Sequence, residues 1–151
     1  MSDIRKATPA DLYDIHTMVQ GLSAFHGDTA KVSADQLHDI FFGPAPKGTA
    51  FIAMKGDVAV GYAGVTSMTV LHTADIRLDI QHLFVHEGHR GIGIGTALIL
   101  AAQAHATSVG AVRLTIGTDA SNATAIATYR ALAFLSEITD TGPRFAIDLT
   151  T

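Results

Sequence analysis

No cysteine and no tryptophan occur among the 151 residues. The first absence excludes disulfides, thiolate metal sites and a cysteine nucleophile. Charge is sparse as well. Only 16% of the residues are Asp, Glu, Lys or Arg, the formal net charge is −4, and no block of lysine and arginine occurs. A duplex-binding surface needs clustered positive charge to neutralise phosphates, so no nucleic-acid partner is expected. The least polar stretch, residues 91–106, is interrupted by Thr96, Gln103 and His105 and falls short of a bilayer span. Behind the charges of Met1-Ser2-Asp3-Ile4-Arg5-Lys6 there is no apolar stretch of the kind a secretory signal carries. No membrane partner is expected, and the expected compartment is the cytoplasm. What the chain does have is apolar bulk. At 48% apolar and this length it can bury a core without staples, which excludes intrinsic disorder. A single domain over residues 1–151 is expected.

The pattern along the chain predicts a mixed α/β domain. Residues 4–7 form a short opening strand. Thr8-Pro9-Ala10-Asp11 is a helix start, and Leu12, Ile15, Met18, Val19 and Leu22 follow at helical spacing. Gly27-Asp28 breaks that helix. Ser33 and Gln36 make a capping box for a short second helix, which Gly43-Pro44 ends. Residues 50–54 and 58–70 then form a hairpin around Lys55-Gly56-Asp57, and 76–85 form a third long strand. Strict alternation there places His82 beside Ile80 and Phe84. A helix over 93–108, a strand over 112–116, a helix over 122–132 and a last strand over 145–149 complete the order. An antiparallel meander thus runs into a β-α-β crossover.

The most informative residues are His89-Arg90-Gly91-Ile92-Gly93-Ile94-Gly95-Thr96, between a strand and an apolar helix. Glycines let the backbone turn tightly and approach a ligand, and the amides of a helix N-terminus favour negative charge. A pyrophosphate is the natural guest, with Arg90 as a second contact. Glycines at steric pinch points would be the bland alternative. A dinucleotide fold would also place an acidic residue, here Asp119, about twenty residues on. Its spacing fails, because the third glycine slot holds Thr96 or Leu98, and no room remains for a second mononucleotide half. A P-loop fails too, since no Gly-Lys-Ser/Thr follows the glycines.

Arg90-x-x-Gly93-x-Gly95 resembles the acetyl-CoA pyrophosphate motif, Gln/Arg-x-x-Gly-x-Gly/Ala, of the GNAT superfamily of acyl-CoA-dependent N-acyltransferases. Downstream, Asn122-x-x-Ala125-x-x-x-Tyr129-x-x-x-Ala133-Phe134 resembles the second signature of that family, with Ala133 where glycine is usual. The resemblance covers nearly the whole chain. It implies a mostly antiparallel central sheet with helices on both faces. It also implies a V-shaped splay between the strand before the glycine loop and the strand after its helix.

The resemblance further implies acetyl-CoA as co-substrate and assigns roles by position. Leu83, Phe84 and Val85 would pair with the pantetheine arm. Arg90, Gly91, Gly93, Gly95 and Thr96 would hold the pyrophosphate, and Asn122 would contact the pantetheine side. Tyr129 would lie near the thioester sulfur as general acid. Many polyamine-type relatives carry a glutamate base where this chain has Gln81, which cannot accept a proton. His82 is then the candidate base, with a hydrogen-bonded core histidine as the alternative. Asp79 is a further candidate, as an amine-binding anion. Phe25, His26 and Asp28 follow the first helix, where the family often lines its acceptor site, or else they only punctuate the helix end. There are eight histidines, but the closest pair, His86-x-x-His89, has no partner motif, and no metal is expected. The expected activity is acetyl transfer to a small-molecule amine in a ternary complex, by a homodimer. A non-catalytic acyl-CoA sensor on the same fold is the rival, kept alive by Gln81.

Overall fold

The computed structural model describes residues 3–25, 29–139 and 142–150. It divides into two compact units, Met1–Gly117 and Thr118–Thr151. The first unit contains, in chain order, β1 (Asp3–Lys6), α1 (Leu12–Phe25), α2 (Ala34–Phe42), β2 (Gly48–Lys55), β3 (Val58–Thr69), β4 (Ile76–Val85), α3 (Ile94–Ser108) and β5 (Arg113–Ile116). The strands form one sheet in the order β1-β2-β3-β4-β5. All neighbours are antiparallel except β4 and β5, which run parallel because α3 carries the chain back between them.

Helices cover both faces of this sheet. Ile15, Met18 and Val19 of α1 and Leu37 of α2 pack with Ala50, Ile52, Tyr62 and Phe84 in one buried cluster. On the other face Gly61 of β3 lies against Ile94 and Leu98 of α3, near enough that an added Cβ would come within 3.3 Å of both side chains. Leu98, Ile99, Ala102 and Ala106 of that helix are buried. Its small residues let it sit close to the sheet, which explains the run of alanines at the end of the chain's least polar stretch.

Local chemistry sets the helix starts. The Ser33 hydroxyl accepts the Gln36 N–H at 3.0 Å, and the Gln36 side chain accepts the Ser33 N–H at 2.9 Å, so the expected capping box forms. The start after Thr8 differs from a simple cap. Residues Pro9–Asp11 form a 3-10 turn that leads into α1, and Asp11 is buried. Its carboxylate accepts two hydrogen bonds from the Arg5 guanidinium, at 2.7 and 2.8 Å, and the Thr8 N–H at 2.8 Å. Asp11 thereby ties β1 to the foot of α1.

The second unit contains α4 (Ala123–Ala131), capped by Asn122, whose side-chain oxygen accepts the Ala125 N–H at 3.1 Å. Arg130 holds Glu137 through two hydrogen bonds of 3.0 and 3.1 Å. The strand expected over 145–149 does not form. Phe145, Ile147 and Leu149 are 93%, 87% and 91% exposed. Alternation marks a half-buried strand only where a neighbour takes its main-chain bonds, and the described residues of this unit include no other strand.

The Arg5 hydrogen bonds, more than any other cause, hold the Asp11 carboxyl below its ordinary value. A depressed folded value gives stability that is present above the unfolded carboxylate pKa, about 3.9, and is lost as pH falls through the folded value. Asp11→Asn is therefore expected to cost roughly 1–3 kcal/mol at neutral pH. Denaturant melts should show a constant gap between wild type and variant from neutrality down to mild acid. The gap should close below the unfolded carboxylate value. A gap that persists unchanged in strong acid would contradict this account.

Candidate functional site

The site begins where β4 leaves β5. Gly64 faces His82 and Val65 faces Ile80, so Gln81 is one extra residue, a β-bulge in β4. β5 pairs with β4 only from Arg77 to Ile80 and stops at Ile116. From Gln81 to Val85, β4 has a described strand partner on one side alone. Leu83, Phe84 and Val85 lie on this half-open stretch, opposite Ala63, Tyr62 and Gly61. The end of β5 leaves an open edge on β4 at the place where the sequence resemblance implies the splay.

The bulge also changes which side chains share a face. Directly paired residues of adjacent strands point the same way. Tyr62 pairs with Phe84, Gly64 with His82 and Thr66 with Asp79, whereas Ile80 pairs with Val65 on the opposite face. Strict alternation, which places His82 beside Ile80, is thus corrected by the extra residue. His82 shares its face with Phe84, on the α1 side, because the pleat slips by one at Gln81. Three polar pairs line this face. Gln81 Nε2 donates to Thr66 Oγ1 at 2.8 Å, Thr115 Oγ1 donates to an Asp79 carboxylate oxygen at 2.6 Å, and the Tyr62 hydroxyl meets His82 Nδ1 at 3.1 Å. Burial lowers the His82 pKa, so the ring is neutral near neutral pH.

The glycine loop continues from the open end of β4. Gly91 and Gly93 have φ values of +78° and +92°, in the left-handed region that side chains disfavour. Gly93 is also the N-cap of α3 and offers no side chain to cap it. The first helical bond is Ala97 N–H to the Gly93 carbonyl, at 3.0 Å. No described group takes the amide hydrogens of Ile94, Gly95 and Thr96, the orphan donors of a helix start. Gly95 differs from the other two glycines, because its φ is ordinary and an added Cβ would meet only Val85 Cγ2, at 4.0 Å. Among the described residues nothing requires glycine there, and what its absent side chain leaves clear is the approach to the helix N-terminus. Arg90 folds back over the strand end. Its Nε donates to the Val85 carbonyl at 2.7 Å, and its guanidinium lies 5.9 Å from the Phe84 ring centre.

Of the expected residues, Arg90 reaches back to Val85 and Phe84, and Gly95 faces Val85 Cγ2. Asn122 and Tyr129 belong to the second unit. The Asn122 oxygen is taken by its cap bond, and burial raises the Tyr129 pKa. Phe25 is the last residue of α1, and His26 and Asp28 lie outside the described residues. Sequence reasoning missed Tyr62, Thr66 and Thr115, the partners of the polar face. Their only signal was register, which depends on a bulge that composition does not announce.

Comparisons with known proteins agree with the fold. Residues 13–134 match the model of the Acetyltransferase (GNAT) family. A search of curated proteins finds no match. Among solved structures, an aminoglycoside acetyltransferase from an uncultured soil metagenomic sample, in complex with sisomicin, is similar. It is 16% identical, with 97% of each chain covered and a TM-score of 0.80. A ribosomal-protein-alanine N-acetyltransferase from Brucella melitensis biovar Abortus 2308 is 18% identical over 96% of this chain and 100% of that one, with a TM-score of 0.74. An integron cassette protein from V. cholerae is 18% identical over 97% and 92%, with a TM-score of 0.77. At such identities the structural likeness speaks for the fold, while the family match spans most of the sequence. The chain belongs to the GNAT acetyltransferase family.

Proposed function

We propose that the chain is an N-acetyltransferase that moves an acetyl group from acetyl-CoA to the primary amine of a small molecule by direct attack, with both substrates bound. The observation that carries this reading is the half-open edge of β4 together with the three amides at the start of α3 that no described group takes. An edge strand takes an extended, amide-bearing arm as an added strand. A helix N-terminus takes a pyrophosphate. The clear approach at Gly95 fits that guest, since a side chain there would stand between the phosphate and the amides. When bound, acetyl-CoA supplies the thioester carbonyl carbon that the amine attacks.

In this reading Leu83, Phe84 and Val85 bind the pantetheine arm through their backbone. Gly91, Gly93, Gly95 and Thr96 bind the pyrophosphate, with Arg90 closing the loop over them. Asn122 meets the pantetheine side with the amide nitrogen that its cap bond leaves over. Tyr129 gives its hydroxyl proton to the departing sulfur, and burial keeps it protonated for that task. Asp79 faces the acceptor amine as a counter-charge beside Gln81. The aminoglycoside acetyltransferases among the structural neighbours support a small-molecule acceptor. The absence, among the described residues, of any helix able to cross a membrane is compatible with action in the cytoplasm. A second reading, an acyl-CoA sensor, is favoured by one observation. Gln81 stands where the resemblance places the glutamate of many polyamine-type relatives, and its amide is held by Thr66. Thiol release from acetyl-CoA across a panel of amines, with peptide controls, separates the two. Turnover on a small amine is expected, and CoA binding without turnover on any acceptor would favour the sensor.

Gly95→Ala tests the cradle. The variant is expected to be as stable as wild type or more stable by up to about 1 kcal/mol, because alanine is the better helix former. Its CoA affinity should fall at least about tenfold in calorimetry, a loss of roughly 1.4 kcal/mol. Wild-type affinity in a well-folded Gly95→Ala would remove the pyrophosphate assignment. Tyr129→Phe is expected to lower kcat by roughly 10²–10⁴-fold while the KM for acetyl-CoA changes little. Near-normal turnover would remove the acid role and leave the cradle standing.

The homodimer reading rests on an apolar rim at one end of the sheet. Leu71 is 95% exposed, Met68 60% and Val112 59%, and Val112 joins the rim through its N–H bond to the Ile76 carbonyl. Sedimentation should give a dimer mass that Leu71→Asp shifts toward the monomer. A monomer at micromolar concentration in the wild type would contradict it.

A further inference from the structure

Tyr62 is 1% exposed, and its ring reaches back over its own strand. A Cβ at Gly64 would stand 2.5 Å from the Tyr62 oxygen and 3.1 Å from Cζ, so only glycine leaves room for the ring there. Gly64 is also the residue that faces His82 across the β3–β4 ladder. The phenol therefore passes over Gly64 to meet His82 Nδ1, with the Phe41 ring edge-on at 6.3 Å behind it. Burial raises the Tyr62 pKa, so the phenol keeps its hydrogen at working pH. That hydrogen needs an acceptor, since a buried hydroxyl left unpaired costs about 1–3 kcal/mol. Among the described residues the one hydrogen-bond partner of the hydroxyl is His82 Nδ1. If Nδ1 carried the ring proton, that proton would face the phenol oxygen and the phenol hydrogen would have no described acceptor. The arrangement that satisfies both groups has the phenol donating to the Nδ1 lone pair. The ring proton then sits on Nε2. His82 Nε2 is not among the buried side-chain nitrogens without a partner, which are Arg77 Nε and His89 Nδ1. His82 as a whole is half-buried.

We infer that Tyr62, seated over Gly64, fixes His82 as the Nε2–H tautomer, so that His82 donates a hydrogen bond to an oxygen of the bound substrate and does not act as the base. Tyr62 and Gly64 are positioning residues in this account, and His82 is the group that touches substrate. The tautomer is a property of the protein alone, while the donor role rests on the acetyltransferase reading above. With His82 as a donor, the groups left to take the amine proton are the Asp79 carboxylate on the same face and solvent.

Nitrogen-15 resonances of the His82 imidazole, read through long-range proton correlations in the protein without acetyl-CoA or amine, test the tautomer directly. An Nδ1 signal of lone-pair type and an Nε2 signal of N–H type are expected in the wild type. Tyr62→Phe keeps the ring and removes the donor, and should give a mixture of both tautomers. Gly64→Ala should displace the phenol and give the same change if it folds. The reverse pattern in the wild type, with Nδ1 protonated, would overturn the inference and restore His82 as a base. So would a Tyr62→Phe spectrum identical to wild type. Because this experiment needs no turnover, it stands even if no acceptor amine is ever found. With an acceptor in hand, His82→Gln, which keeps a side-chain N–H donor, should retain most of kcat. His82→Leu should lose up to about 10²-fold, the order of one preorganised donor. Equal losses in the two variants would overturn the donor role while leaving the tautomer result intact.

Discussion

One extra residue governs this site. Gln81 adds a bulge to β4 at the place where β5 runs out opposite Ile80, and pairing with β5 ends there. A sheet interior has no free main-chain groups to offer, so a protein that binds an extended ligand by strand addition must create an edge. This fold creates one inside its own sheet, directly after the stretch Arg77–Ile80 over which β4 and β5 pair normally. The edge leads directly into the glycine loop, and the loop leads into the uncapped start of α3. The three features are consecutive in sequence from 81 to 97, which is why they stay aligned.

The same bulge assembles the polar face. Without the slip, His82 would share a face with Ile80, and its polar nitrogens would enter the apolar layer beneath α3. With the slip, it lies opposite Gly64 and within reach of Tyr62. Each of the three polar pairs on that face joins residues from neighbouring strands: Thr66 with Gln81, Thr115 with Asp79, and Tyr62 with His82. A side chain bonded across strands is held by the sheet, so the face is preorganised before a ligand arrives.

Much of this was legible in the sequence, for physical reasons that can be named. Helix starts at Ser33 and at Gly93 carry their own local chemistry, and so did the long apolar alternation of β4. The glycine loop was legible because Gly91 and Gly93 occupy conformations that other residues disfavour. What escaped depends on pairing between distant segments. Asp11 looked like a first-turn acid; its bond to Arg5 depends on β1 lying beside the foot of α1. The extra residue at Gln81 is invisible until β3 supplies the ladder against which it is counted. Phe145, Ile147 and Leu149 alternate as a strand should, yet no described neighbour in their unit takes up the pattern. Alternation states which faces a segment would have and says nothing of whether an edge awaits it.

The start of α3 is built against its own stability. At Gly93 the φ of +92° disfavours a capping serine or aspartate, so no side-chain oxygen at that position takes an amide of the first turn. An alanine at Gly95 would contribute about 1 kcal/mol of helix propensity, at the expense of the open approach. The helix tolerates both omissions because its stability comes from elsewhere. Leu98 and Ala102 are fully enclosed, with Ile94, Ile99 and Ala106 nearly so, and burying a leucine or isoleucine side chain stabilises by about 1.5–3 kcal/mol. Packing against Gly61 brings that apolar face close to the sheet. The buried side of α3 thus holds the helix in place, and its first turn is left free to present amides. Anion-binding ability at one end of a helix is here a consequence of apolar packing along its length.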